Sequence, residues 1–87
     1  MRLKDDFVLH NSEDEYVIVA VGKAAEKFHG LVHLNSVGGK IVEFLKEDIT
    51  EEELISKMLE IYDVDYETLK KDVDKIVTEL KKANIVE

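Results

Sequence analysis

Phe28-His29-Gly30-Leu31-Val32-His33-Leu34-Asn35-Ser36-Val37-Gly38-Gly39-Lys40-Ile41 is the stretch whose reading decides the fold. A two-fold apolar rhythm at Phe28, Gly30, Val32 and Leu34 gives way to a three-to-four-residue rhythm at Val37, Ile41, Phe44 and Leu45. Asn35 or Ser36 stands where a helix N-cap belongs. The stretch therefore predicts a short strand that passes into a helix with almost no loop, and it divides a β half from an α half.

Upstream, Phe7 to His10 reads as a first strand and Asn11-Ser12-Glu13-Asp14 as a polar turn. Glu15 to Val21, dense in β-branched residues, reads as a second strand. Residues 22 to 27 form a connection too short to be a separate unit, and Phe28 to Leu34 supplies a third strand, most simply antiparallel to the second. Downstream, the first helix is predicted from Ser36 to about Lys46. Thr50-Glu51-Glu52-Glu53 is a capping box that opens a second helix with Leu54, Ile55, Met58, Leu59 and Tyr62 on its inner face. Asp65 caps a third helix reaching about Ala83, with Leu69, Val73, Ile76, Val77 and Leu80 turned inward. Asn84 ends that helix, and Ile85 and Val86 return to the core. Three strands followed by three helices is an α+β layout in which the helices cover one face of a small antiparallel sheet.

Composition narrows the functions open to such a chain. Its 87 residues suit one domain, residues 1–87, with a single small core and little room for a deep catalytic cavity. The absence of cysteine removes disulfides, thiolate metal sites and thiol nucleophiles together. No apolar stretch approaches the roughly 20 residues a membrane span needs, and the first 20 lack a signal-peptide pattern, so a cytoplasmic protein is expected. Twenty acidic residues against twelve Lys and Arg give a net charge of -8. An acidic surface repels phosphate backbones, which argues against nucleic acid as a partner.

The third strand lies at an edge of a three-stranded meander. Its outward backbone groups stay unpaired unless something covers or extends them. Neither proline nor an evident bulge blunts it, and Leu31 and Val32 sit in its middle, which makes it a candidate for accepting an added peptide strand.

Several segments then share a recognisable order. Tyr16-Val17-Ile18-Val19 comes first, followed by Gly30-Leu31-Val32-His33-Leu34-Asn35-Ser36-Val37-Gly38 and Thr50-Glu51-Glu52-Glu53-Leu54. Tyr62-Asp63-Val64-Asp65 and Lys71-Asp72-Val73 with Leu80 complete the series. Across nearly the whole chain this order resembles the PqqD family: the peptide chaperone of pyrroloquinoline-quinone biosynthesis and its relatives, the precursor-peptide recognition elements of ribosomally made, modified peptide pathways. The resemblance implies a winged-helix-like fold of three strands and three helices. It also implies a protein that binds a precursor's leader segment as an added strand on the third strand, beside the third helix, and presents it to a modifying enzyme. In this family that enzyme is often a radical S-adenosylmethionine protein.

On these grounds the expected peptide-binding residues are Phe28, His29, Gly30, Leu31, Val32, His33 and Leu34 along the edge. On a wheel of about 100° per residue, Leu69, Ile76 and Leu80 centre the buried face of the third helix. Tyr66, Val73 and Val77 then lie to one side as a groove wall extended by Lys70 and Lys81, lysines that would favour acidic leader residues; the plainer alternative makes Val73 and Val77 ordinary core and the lysines a solvated face. Main-chain hydrogen bonds would supply affinity, and alternate side chains entering the groove would supply specificity.

Chemical readings are weaker. His29 and His33 share a strand face but stand about 13 Å apart at about 3.3 Å per residue, so one metal cannot bridge them, and no metal or other cofactor is expected. Gly38-Gly39-Lys40 lacks the glycine spacing of a phosphate loop and is better read as close backbone packing against the sheet. Glu51-Glu52-Glu53 interacts favourably with a helix N-terminus, and no serine has a histidine and acid around it. No catalytic residue is assigned. Two rival classes share the architecture: a winged-helix DNA-binding regulator, which needs a clearly basic recognition helix, and a small module that self-associates through the same strand. A monomer or weak dimer is expected.

Overall fold

The computed structural model describes residues 1–13, 15–27 and 30–87. Strands β1 (Phe7–Ser12), β2 (Glu15–Ala20) and β3 (Leu31–Leu34) form an antiparallel sheet in chain order. The register sets Phe7 opposite Ala20, Ser12 opposite Glu15, Tyr16 opposite Leu34 and Val19 opposite Leu31. Strict alternation turns Phe7, Leu9 and Ile18 into the core and leaves Val8 and His10 exposed on the outer face.

Several features differ from expectation, and β2 stops at Ala20, one residue short of Val21. β1 continues two residues past His10, where Ser12 still pairs with Glu15, and Glu13 then takes a left-handed φ of +53°. The connection after β2 contains a one-turn helix, α1 (Ala24–Lys27), so the described residues hold a short helix beyond the three expected. Gly22, at φ +59°, turns the chain, and the strong helix formers after it close the turn with Ala25 and Glu26 donating to the carbonyls of Gly22 and Lys23. β3 begins at Leu31, since Gly30 bends at φ +148°. The expected strand residues Phe28 and His29 lie outside the described residues.

The helices start where their caps predict. In α2 (Ser36–Phe44) the Asn35 side chain accepts from the Gly38 N–H at 2.8 Å, which fixes Asn35 as the cap. In α3 (Glu51–Ile61) both halves of the capping box form: Glu53 N–H donates to Thr50 Oγ1 at 3.1 Å, and Thr50 N–H donates to Glu53 Oε1 at 3.2 Å. In α4 (Tyr66–Lys82) the Asp65 carboxylate accepts from Thr68 N–H at 2.9 Å. Asn84 ends α4 in the left-handed conformation at φ +61°, and the Ile85 N–H returns to the Leu80 carbonyl.

Ile18 from the sheet, Ile41, Val42 and Leu45 from the first full helix and its cap, Leu54, Ile55 and Met58 from α3, and Val73 from α4 are almost fully enclosed. The opening residues join them. Leu3 pairs with Val86 and donates its N–H to the Leu45 carbonyl, while Lys4 N–H donates to the Ile85 carbonyl, so both ends of the described chain close over the core.

The caps carry a pH dependence. Hydrogen bonds from the Thr68 side chain and backbone hold the Asp65 carboxyl below its ordinary range. Those from the Thr50 backbone and side chain do the same for Glu53. A carboxyl whose folded value is depressed contributes stability above its unfolded value, about 4, and loses it as pH falls through the folded value. The urea midpoint is therefore expected to fall on acidification below about pH 4. Asp65→Asn, which keeps a capping oxygen without a titrating proton, should flatten that fall; an unchanged acid slope would show that the cap does not contribute.

Candidate functional site

The sheet order leaves β3 at an edge, and among the described residues no strand pairs with its outer side. Leu31 is 55% exposed, the most exposed large apolar side chain among the described residues, and it sits on that edge. Val32 and Leu34 are half-buried on the inner face, whereas Leu31 and His33 are exposed on the outer one. Through the register, Leu31 continues a cross-strand row from Val8 and Val19, and His33 one from His10 and Val17.

At the end of β3 the chain turns into α2, and a groove of about 340 Å³ opens there. Asn35 and Val37 form one wall, and Asp72, Lys75, Ile76 and Glu79 of α4 form the other. These four helix residues are three, four and seven apart, so they share one stripe. Asn35 is fixed in this wall because its side chain is engaged in the cap.

Close packing below sets the groove's position. Gly38 and Gly39 are buried in α2, and a Cβ on Gly39 would overlap the Cγ end of the Tyr16 ring of β2. A Cβ on Gly38 would come to 3.3 Å from Asn35 Oδ1 and 3.5 Å from Leu34. The glycines let α2 lie directly on the sheet beside β3.

The expected binding residues separate into groups. Leu31, Val32, His33 and Leu34 form the edge, Gly30 is the bend before it, and Phe28 and His29 are outside the described residues. Val73 and Val77 are buried in the core at 0% and 5% exposure and do not wall a groove. Tyr66 and Lys70 meet around a different concavity of about 380 Å³ with Glu67, Lys71 and Asp74. Lys70 and Lys81 both act on Glu51, which places them on the side of α4 that faces the start of α3. A hydrogen bond with the Asp74 carboxyl, followed by burial, pushes Glu51 above the ordinary carboxylate range despite these lysines.

The reason is a rotation of the helix. Leu69, Val73, Val77 and Leu80 are its buried residues, so the inner face is centred near Val73. That is about 40° from the centre expected from Leu69, Ile76 and Leu80, at about 100° per residue. Ile76 moves to the flank and becomes the apolar residue that α4 contributes to the groove, with Asp72, Lys75 and Glu79 around it. Their sequence signal was a single apolar position inside a charged stripe.

Among the described residues, no three His, Cys, Asp or Glu side chains gather as metal ligands, and no helix is long and apolar enough to cross a membrane. Residues 15–86 match the family model described as coenzyme PQQ synthesis protein D (PqqD). No curated protein matches the chain. Two solved structures are similar in fold. TbiB1, in complex with the TbiA(β) leader peptide, has a TM-score of 0.81 at 24% identity, covering 100% of this chain and 95% of that one. Lasso peptide synthetase B1, complexed with the leader peptide, has a TM-score of 0.72 at 20% identity, covering 94% of this chain and 91% of that one.

Proposed function

Because the chain belongs to the PqqD family, we propose that it is a non-catalytic adaptor that holds the leader of a ribosomally made precursor peptide and presents it to a modifying enzyme. The observation that carries this reading is the open β3 edge running into the groove between Val37 and Ile76. An extended peptide added to β3 would satisfy the strand's outward backbone groups, and its alternate side chains would reach the groove. Two structural neighbours hold leader peptides, which supports the same occupant here. On family grounds the enzyme partner is of the radical S-adenosylmethionine kind, and a cytoplasmic setting suits such a pathway.

Nucleic acid is the poorer partner. α4 carries four acidic residues against five lysines, and the chain as a whole is at -8, so α4 is not the clearly basic helix that a phosphate backbone requires. The test is a titration of the ¹⁵N-labelled protein with leader segments of short precursor peptides encoded beside its gene. The largest amide shifts are expected at Leu31 to Asn35 and around Lys75 and Ile76. Saturating shifts confined to the Lys70 and Lys81 side of α4, or none with any leader, would overturn the assignment.

A further inference from the structure

Resting on the peptide-binding reading, we propose that the groove selects a peptide segment in which an apolar anchor has a lysine or arginine two positions away. The apolar lining is Val37 and Ile76, which suits one aliphatic or aromatic side chain. Around it stand Asp72 and Glu79, both exposed, with Lys75 between them. Lys75 lies three residues from Asp72 and four from Glu79, so one positive charge stands among two negative ones along this stripe. The groove therefore keeps a negative balance.

Lysines elsewhere do not reverse it. Lys70 and Lys81 act on Glu51 on the other flank of α4, and the whole chain carries -8. An acidic peptide approaching this groove meets repulsion at long and short range, and a basic one is steered in. Spacing follows from strand geometry. Side chains of an extended peptide alternate, so the residue sharing the groove with the anchor is two positions from it. This reverses the preference that rim lysines would have imposed.

The test needs no known precursor. A displayed library of random peptides is selected on the immobilised intact protein at low salt, and binders are sequenced. Enriched sequences are expected to hold Lys or Arg two positions from an apolar residue. In a synthetic binder, changing that basic residue to Glu should weaken binding about 3–10-fold, as reversal of exposed pairs implies. The protein variant Asp72→Asn/Glu79→Gln should bind the original peptide about 2–5-fold more weakly and with a flatter salt dependence, whereas Glu67→Gln on the other stripe should not. Enrichment of acidic or neutral peptides that shift β3 amides, or indifference of a basic peptide to the Asp72→Asn/Glu79→Gln change, overturns the charge preference while leaving strand addition standing. Failure of any peptide to be enriched or to shift β3 overturns both.

Discussion

Gly39→Ala is expected to destabilise the protein by about 1–3 kcal/mol, the range for forcing an extra methyl into a filled interior. In an ordinary helix the same change would stabilise by about 0.5–1 kcal/mol, because alanine loses less backbone freedom than glycine. The sign reverses here because Gly39 is buried in α2 and its missing Cβ position is occupied by the body of the Tyr16 ring, three of whose atoms would be overlapped. The ring stem cannot swing aside as a side-chain tip would, since Tyr16 sits in the middle strand opposite Leu34. Either the helix must lift from the sheet or the strand must shift, and both movements disturb the turn from β3 into α2. Urea unfolding should show a lower midpoint with an unchanged slope. Adding Tyr16→Val, which keeps a strand-forming residue and removes the ring, should restore part of the loss, with a coupling of about 0.5–3 kcal/mol. Gly38→Ala, whose nearest neighbours stand at 3.3 and 3.5 Å, should cost less. A Gly39→Ala protein as stable as its parent would mean that α2 does not lie this close to the sheet.

Features set by residues a few positions apart were readable in advance. Thr50 with Glu53 and Asp65 with Thr68 are contacts at a separation of three, so the starts of α3 and α4 follow from local chemistry alone. β2 is similarly legible, because a run of β-branched residues with an alternating face has few other uses. The pairing of Leu3 with Val86 was not, since it joins residues from opposite ends of the sequence and neither segment carries a repeating pattern. α1 was hidden because four residues are too few to display a helical period. The groove failed for a different reason. Leu69, Val73, Ile76, Val77 and Leu80 cover a broad arc of α4, and which margin of that arc is covered depends on how α3 grips the helix. Periodicity locates such an arc but not its buried centre, and so it puts Val77 at the groove margin and Ile76 in the core.

Val73→Ala and Ile76→Ala should therefore separate stability from binding. Val73 is 0% exposed, and its truncation removes two methyl groups and leaves a cavity, for a loss of about 1.5–3 kcal/mol. Ile76 is only half-buried and lines the groove, so its truncation should cost under about 1 kcal/mol of stability, because water already reaches part of the side chain. Affinity for a bound peptide should follow the opposite order. Removing Ile76 takes away the apolar contact that an anchor residue would make, worth about tenfold or more in dissociation constant at roughly 25 cal/mol per Å² of lost burial. Val73→Ala leaves the groove lining in place, and below its unfolding midpoint it should bind within about twofold of the parent, since a residue that touches no ligand changes affinity only through the folded fraction. Measuring both variants by urea unfolding and by peptide titration under conditions where each is folded gives four numbers with a crossed pattern. Peptide binding lost with Val73→Ala and retained with Ile76→Ala would put the groove back on the Val73 and Val77 side of α4, and with it the lysines at Lys70 and Lys81.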